Sequence, residues 1–244
     1  MTAQHDQEAI LAALQNGALT VQGQFINGSN YTFLGEVESP AGALRVVYKP
    51  VRGEQPLWDF PARSLARREV AAYLVSEALG WELVPPTVYR KRGPLGSGSV
   101  QLFVNHDPDR HYFSFTSAEK DRLKPVATFD VLINNADRKG GHLLIGDDGH
   151  LWLIDHGICF HVDDKLRTVI WDFAGQPVPE HLLEDIRRLL AELEPGDGPL
   201  RAAFKPLLNA GEIRRLAARG QALLANPVFP LPDRQNRPYP WPPV

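Results

Sequence analysis

Two carboxylates carry the chemistry of this 244-residue chain. Asp137 sits in the polar run Asn134-Asn135-Ala136-Asp137-Arg138-Lys139-Gly140-Gly141-His142, and Asp155 opens Asp155-His156-Gly157. Between them lie two apolar runs, Leu143-Leu144-Ile145 and Leu151-Trp152-Leu153-Ile154, joined by Gly146-Asp147-Asp148-Gly149. Asp-Gly between apolar runs is a hairpin signal, and a hairpin here returns Asp155 to the side of Asp137. Gly157 is read as the residue that lets the chain turn sharply afterwards. Two converged carboxylates can hold a cation or handle a proton. Singly, each has a plainer reading: Asp137 pairs with Arg138 or caps a turn, and Asp155 ends a strand. The joint pattern favours the functional one.

The elements that must position this pair fall into two unlike halves. Gln7 to Asn16 reads as a short amphipathic helix, with Ile10, Leu11 and Leu14 on one side and Gly17 closing it. Period-two segments follow at Leu19–Val21, Tyr31–Val37 and Ala43–Lys49. The turn Asn27-Gly28-Ser29-Asn30 leaves backbone N–H groups free and can cover phosphates; an ordinary hairpin turn is the alternative. Ser64 to Leu79 is the strongest helix of this half and contains Glu69. That glutamate is either a surface i,i+4 partner or a partner for Lys49 across a cleft. Strands are predicted at Val84–Tyr89 and Val100–Val104. The basic turn from Arg90 to Gly98 has no aromatic stacking partners and reads as a solvated loop. Residues 105–110 are polar, contain a proline and mark the hinge. Beyond it, helices are predicted at Leu123–Ile133, Pro179–Leu193, Pro199–Leu208 and Ala210–Ala225, the last with a Leu/Ala face and three exposed arginines. From Asn226 onward seven prolines make a tail that is extended or packed over the surface.

Composition narrows the partners. A net charge of −3 gives no general reason to expect nucleic acid. Cys159 is the only cysteine, which excludes a disulfide framework and a thiolate zinc cluster and suggests a reducing, cytoplasmic setting. No signal peptide is read at the N-terminus, and no apolar run approaches the ~20 residues of a membrane span. A monomer with no stable membrane insertion is expected.

Taken in order, the turn, Lys49, Glu69, the hinge strand, Asp137, the hairpin and Asp155-His156-Gly157 resemble the protein-kinase-like fold. The resemblance is closest to its atypical branch, the phosphatidylinositol 3- and 4-kinases and the HipA-type kinases. The phrase NNADRKGGHLL is similar to an uncharacterised bacterial family related to phosphatidylinositol kinases. The likeness covers roughly residues 20 to 190 and is tight at 134–157. It implies an α+β fold of two lobes: a β-rich N-lobe over residues 1–104, a helical C-lobe over 105–226, and a Pro-rich tail over 227–244.

The resemblance also implies roles. Gly28 and Ser29 would cover phosphates, and Lys49 would hold the α/β-phosphates of ATP while pairing with Glu69. Gln101, Phe103 and Val104 would line the adenine pocket through backbone groups, with Val47 and Ile154 as apolar walls. Asp137 would accept the acceptor-hydroxyl proton or orient the nucleophile, Lys139 would steady the γ-phosphate, and Asp155 would bind Mg²⁺. One position departs from the family pattern: His142 stands where an asparagine metal ligand is usual. Either Asn135 or a water supplies the missing oxygen, or the enzyme favours Mn²⁺, or turnover is lost. The expected function is ATP-dependent phosphoryl transfer to a hydroxyl of a protein, small molecule or lipid. A pseudokinase is the first alternative. A metal-dependent hydrolase built on His142, His150, Asp155, His156 and His161 is the second. In the segment from Ile158 to Trp171 the charges of Asp163, Asp164, Lys165 and Arg167 cancel. That balance argues against a multiply phosphorylated inositol head group and suits a protein hydroxyl or a metabolite at least as well.

Overall fold

The computed structural model describes residues 2–25, 30–193, 198–233 and 237–244. The elements in chain order are α1 (Thr2–Asn16), β1 (Leu19–Phe25), β2 (Thr32–Ser39), β3 (Gly42–Pro50), α2 (Leu65–Leu79), β4 (Thr87–Arg90) and β5 (Gly98–Leu102). They are followed by α3 (Ser117–Asp121), α4 (Lys124–Ile133), β6 (Leu143–Ile145), β7 (Leu151–Leu153), α5 (Glu180–Leu193), α6 (Pro199–Phe204) and α7 (Ala210–Ala225). Strands β1 to β5 form one antiparallel sheet in the order β1-β2-β3-β5-β4, and β6 and β7 form the predicted hairpin.

Alternation along β3 divides the sheet's two faces. Val46 and Tyr48 are fully buried and join Ala13 and Leu14 of α1 in a small core. Val47 and Lys49 point the other way, into a cleft. The register sets Lys49 opposite Ser99 and Val47 opposite Gln101 on β5. The predicted strand over Val84–Tyr89 begins pairing only at Thr87. Pro85 and Pro86 have no N–H to give a ladder, so the chain enters the sheet after them.

Helix α2 is buried on nearly every side. Its start is capped from outside by Glu54, whose carboxylate accepts from the backbone N–H of Leu65 (3.2 Å) and of Ala66 (3.0 Å). Gly80 ends it in the left-handed conformation at φ 70°. Ala71, Tyr73, Val75 and Leu79 belong to the large core they share with α4, α5 and α7. Arg68 crosses to the helical side, donating to the Cys159 carbonyl and to the Glu212 carboxylate of α7. Its own helix therefore leans on both halves of the molecule.

Two surface readings change. Arg90 is buried, not solvated: Nε donates to the Leu14 carbonyl, and Nη2 reaches the carbonyls of Ala13 (3.1 Å) and Gly17 (2.8 Å). It closes the C-terminal end of α1, where unpaired carbonyls favour a cation. Arg219 on α7 is likewise only 9% exposed, because the turn it occupies packs over α4 and the segment near His161. The described part of the tail packs against the helical half. It pairs with the segment around Pro177, and the Pro238 and Pro243 carbonyls accept from Thr168 N–H (3.1 Å) and Gly140 N–H (2.7 Å).

Candidate active site

A cavity of about 320 Å³ opens between the sheet and the helical half. Its sheet wall carries Val47 and Lys49, its helix wall Glu69, and its floor Asp137, Ile154 and Asp155. Lys49 Nζ lies 2.5 Å from Glu69 Oε1 and 2.9 Å from Asp155 Oδ1. Glu69 Oε2 also accepts from the backbone N–H of His156 at 2.8 Å. Strand, helix and the 155–157 turn are thus joined by one chain of charge-assisted hydrogen bonds. Burial works against charge on Lys49, but Asp155 and Glu69 outweigh it and raise its pKa. Reciprocally, the ammonium holds the Asp155 carboxyl well below the usual carboxylate range.

The hairpin does what its sequence asks. Asp148 Oδ1 accepts from His150 N–H (2.9 Å), Gly149 takes φ 77°, and both carboxylates, Asp137 and Asp155, end at the cavity. The sharp turn, however, is made by Asp155 itself, at φ 65°. Gly157 has no positive φ, and a Cβ there would meet Leu65 Cβ at 3.4 Å and Glu69 Oε1 at 3.6 Å, ordinary van der Waals contact, so the position has room for a small side chain.

Asp137 faces the cavity from the polar run. Burial, opposed by Lys139 and aided by Asp155, lifts its carboxyl to about 6. Lys139 Nζ lies 3.8 Å from Asp137 Oδ2. The pairing of Asp137 with Arg138 is not made. Arg138 is fully buried and grips Asp130 of α4, with Nε and Nη2 3.1 and 3.0 Å from Oδ1. It also donates to the Ile154 carbonyl (3.0 Å) and sits 2.7 Å from His156 Nε2. A guanidinium has no acceptor to offer, so Nε2 accepts and the imidazole is neutral. Burial and the Arg138 charge hold its pKa well below the ordinary value. This hub binds α4, the Asp137 loop and the 155–157 turn. A charged Asp130 inside the apolar run of α4 was its one sequence signal.

Asn135 does not reach the cleft, contrary to its expected role as a metal ligand. It is buried, with Oδ1 accepting from Asp137 N–H (2.9 Å) and Nδ2 donating to Asp130 (3.0 Å). Its amide shapes the loop. His142 does reach Asp155: Nε2 lies 3.3 Å from Oδ2, and Nδ1 accepts from Lys139 N–H at 3.4 Å. Burial pushes its pKa down to about 4. Gln101, Phe103 and Val104 line the cavity, but the Gln101 amide turns to Thr87 (2.9 Å), and Phe103 N–H is taken by the Arg45 carbonyl (2.9 Å). Gly28 and Ser29 lie outside the described residues.

The other histidines disperse. His150 bonds the Glu82 carbonyl and stacks on Trp152, and His161 bonds the Asp59 carbonyl against Phe60. Among the described residues no three His, Cys, Asp or Glu side chains gather as a metal cage. That arrangement disfavours the hydrolase. Two carboxylates suit a Mg²⁺-type ion, whose remaining ligands are characteristically phosphate oxygens and waters. Asp155, with its side chain 48% exposed to the cleft, and Asp137 fit that donor set.

The family model for phosphatidylinositol 3- and 4-kinase matches residues 64–201, which holds Glu69, the Asp137 loop and Asp155. The chain belongs to the phosphatidylinositol 3- and 4-kinase family. A relative from Mycobacterium tuberculosis, Protein Rv2133c, is 43% identical over 99% of this chain and 97% of its own length. The phosphatidylinositol 4-kinase gamma 4 of rice is 27% identical over 68% of the chain, and that of Arabidopsis thaliana 31% over 52%. The chain spans 36% and 27% of those plant kinases. Among solved structures, hydra Fam20 with sugar gives a TM-score of 0.60 at 14% identity, covering 92% of this chain and 89% of that one. The Golgi casein kinase with Mn/ADP bound gives 0.56 at 16% (99% and 81%). The Helicobacter pylori proinflammatory kinase CtkA gives 0.54 at 11% (88% and 94%). The fold of this family member is therefore that of an atypical, two-lobed kinase.

Proposed function

We propose that this chain is an ATP- and divalent-metal-dependent kinase that phosphorylates a hydroxyl of a protein or small metabolite. The observation that carries the reading is the single hydrogen-bonded chain from Lys49 to Glu69 and Asp155 over a cavity that also holds Asp137. In this reading Lys49, fixed by Glu69, holds the nucleotide's α/β-phosphates, and Val47 and Ile154 sandwich the base beside Gln101, Phe103 and Val104. Asp137, with its raised pKa, receives the acceptor's proton, while Lys139 neutralises charge on the transferred group. Asp155 is the principal residue that would hold a metal, and a bound Mg²⁺ or Mn²⁺ would supply charge neutralisation at the phosphates. His142, neutral and with Nε2 3.3 Å from Asp155 Oδ2, flanks that carboxylate. The lone buried thiol of Cys159 supports a reducing, cytoplasmic setting.

The engaged charges of the 158–171 segment support a protein or metabolite acceptor over a polyphosphoinositide: Lys165 pairs with Asp59 (2.9 Å) and Asp164 with Arg215 (2.8 Å). A second reading, nucleotide binding without turnover, is favoured by one residue, His142 in the usual asparagine place. Incubation with γ- and α-labelled ATP in cell extract separates them. Metal-dependent γ-label transfer supports the kinase, α-label transfer would mean nucleotidylation, and thermal stabilisation by ATP without transfer to any acceptor would leave a pseudokinase.

A further inference from the structure

A second cavity, of about 550 Å³, lies on the far side of the catalytic loop between α7, the 164–171 segment and the C-terminal tail. Its size is that of a small-molecule site. Arg219 lines it. This side chain is 9% exposed, its Nε donates to the Leu132 carbonyl (2.8 Å) and its Nη1 to the His161 carbonyl (3.3 Å). Its Nη2 meets no acceptor among the described residues. A buried guanidinium N–H without a partner costs free energy that an anion would recover. Burial has already pushed this guanidinium down to about 10.

The surroundings define the anion. Lys165, Arg167 and Arg237 line the same cavity, with Asp164 and Asp233. Lys165 is matched by Asp59, and Asp164 by Arg215. Over the whole lining, Lys165, Arg167, Arg219 and Arg237 stand against Asp164 and Asp233, an excess of two positive charges. A phosphate monoester carries about −1.5 to −2 at neutral pH. The other wall is apolar, built from Trp171, Leu223, Val228 and Leu231, and suits a hydrocarbon or aromatic body attached to the phosphate.

We propose that this cavity is a second ligand site, taking a phosphate monoester on an apolar or aromatic body. The site stands apart from the nucleotide cleft and does not depend on the kinase reading. It is nevertheless connected to it: Arg167 N–H donates to the Asn135 carbonyl (2.9 Å), the Arg167 carbonyl accepts from Arg138 N–H (3.0 Å), and the Arg167 charge acts on Asp137. An occupant that draws the Arg167 guanidinium toward itself would be felt at the catalytic loop.

Titration calorimetry with phenyl phosphate on the full chain tests the site. Saturable binding is expected, weakening as salt rises, and about tenfold weaker in Arg219→Gln, as befits loss of a charged hydrogen bond. Because Arg219 also holds two carbonyls, Arg167→Gln combined with Arg237→Gln is the companion variant; it should fold like the parent and lose affinity comparably. The cleft variant Asp155→Ala should bind phenyl phosphate as the parent does. Sedimentation with phosphatidic-acid vesicles, competed by phenyl phosphate, would identify a lipid as the source of the monoester. Binding of phenyl phosphate without vesicle binding would identify a soluble one. Absence of saturable binding, unchanged affinity in the double variant, or loss of binding in Asp155→Ala would overturn the proposal.

Discussion

The ammonium of Lys49 stands 2.9 Å from the carboxylate of Asp155, although 106 positions separate them in sequence. This contact brings the C-terminal end of β3 onto the segment that follows the β6–β7 hairpin, and Glu69 completes it from α2. Removing the cation leaves two carboxylates facing each other. Lys49→Met should lower stability by about 1–3 kcal/mol, less than the ~3–5 of a broken buried pair because Asp155 is half exposed. It should also abolish the thermal shift produced by ATP with metal. A full ATP-induced shift in this variant would show that Lys49 does not touch the nucleotide.

Asp137 yields a pH signature of definite sign. Its folded-state pKa of about 6 lies above the ordinary 3.8, so the folded protein binds the proton more tightly than the unfolded chain. The group's contribution to stability is therefore greatest below pH ~4 and is lost as pH rises through ~6. Asp137→Asn should be more stable than the parent at pH 7 by on the order of 1 kcal/mol, discounted for partial exposure, and the gain should vanish under acid. Turnover follows the opposite course, rising through about pH 6 as the base ionises. Denaturant melts at two pH values and a kcat–pH profile check both arms.

Asp155 combines a charge with a left-handed backbone, and two substitutions separate these demands. Asp155→Asn tolerates φ 65° and should fold normally while losing metal-dependent nucleotide binding. Asp155→Val loses the same binding and should cost a further 1–2 kcal/mol or so in backbone strain. Equal melting temperatures for the two would contradict the strained turn.

In the proposed kinase His142 tunes the choice of metal. With the imidazole 3.3 Å from the Asp155 carboxylate, His142→Asn would put an oxygen ligand within reach of an ion held there. Its activity ratio, Mg²⁺ over Mn²⁺, should rise several-fold relative to the parent, since Mg²⁺ favours hard oxygen donors. An unchanged ratio would remove His142 from the metal's surroundings.

Arg68 and Glu212 form a buried pair between α2 and α7. Arg68→Ala strands the glutamate and should cost about 3–5 kcal/mol, whereas Arg68→Met with Glu212→Leu should recover most of that loss. Urea unfolding of the single and double variants gives the comparison directly.

What could be read without coordinates follows from how local each signal is. α7 over Ala210–Ala225 and the hairpin around Gly149 are written in nearest-neighbour chemistry, a helix period and an Asp-Gly turn, and both stand where the sequence puts them. The Lys49–Glu69 pairing was legible only from the order of parts along the chain. Arg219 was read as exposed because helical periodicity cannot show that the carbonyls of Leu132 and His161 lie across from it. Asn135 was misassigned for a similar reason: an amide side chain looks the same in sequence whether it faces phosphate or its own loop. The turn credited to Gly157 belongs to Asp155, since an aspartate also tolerates positive φ and leaves no compositional trace of doing so.

The anchoring of α2 restricts how such a molecule can be regulated. Protein kinases control activity by positioning the helix that carries the lysine's glutamate partner. Here that helix contributes Tyr73, Val75 and Leu79 to the helical core, and Arg68, adjacent to Glu69, is held by Cys159 and Glu212. Swinging Glu69 away from Lys49 would uncover that core and leave two buried charges unmatched. Displacing that helix would therefore be costly, and in the proposed kinase a control that spares it would act through what enters the cleft and what reaches the Asp137 loop.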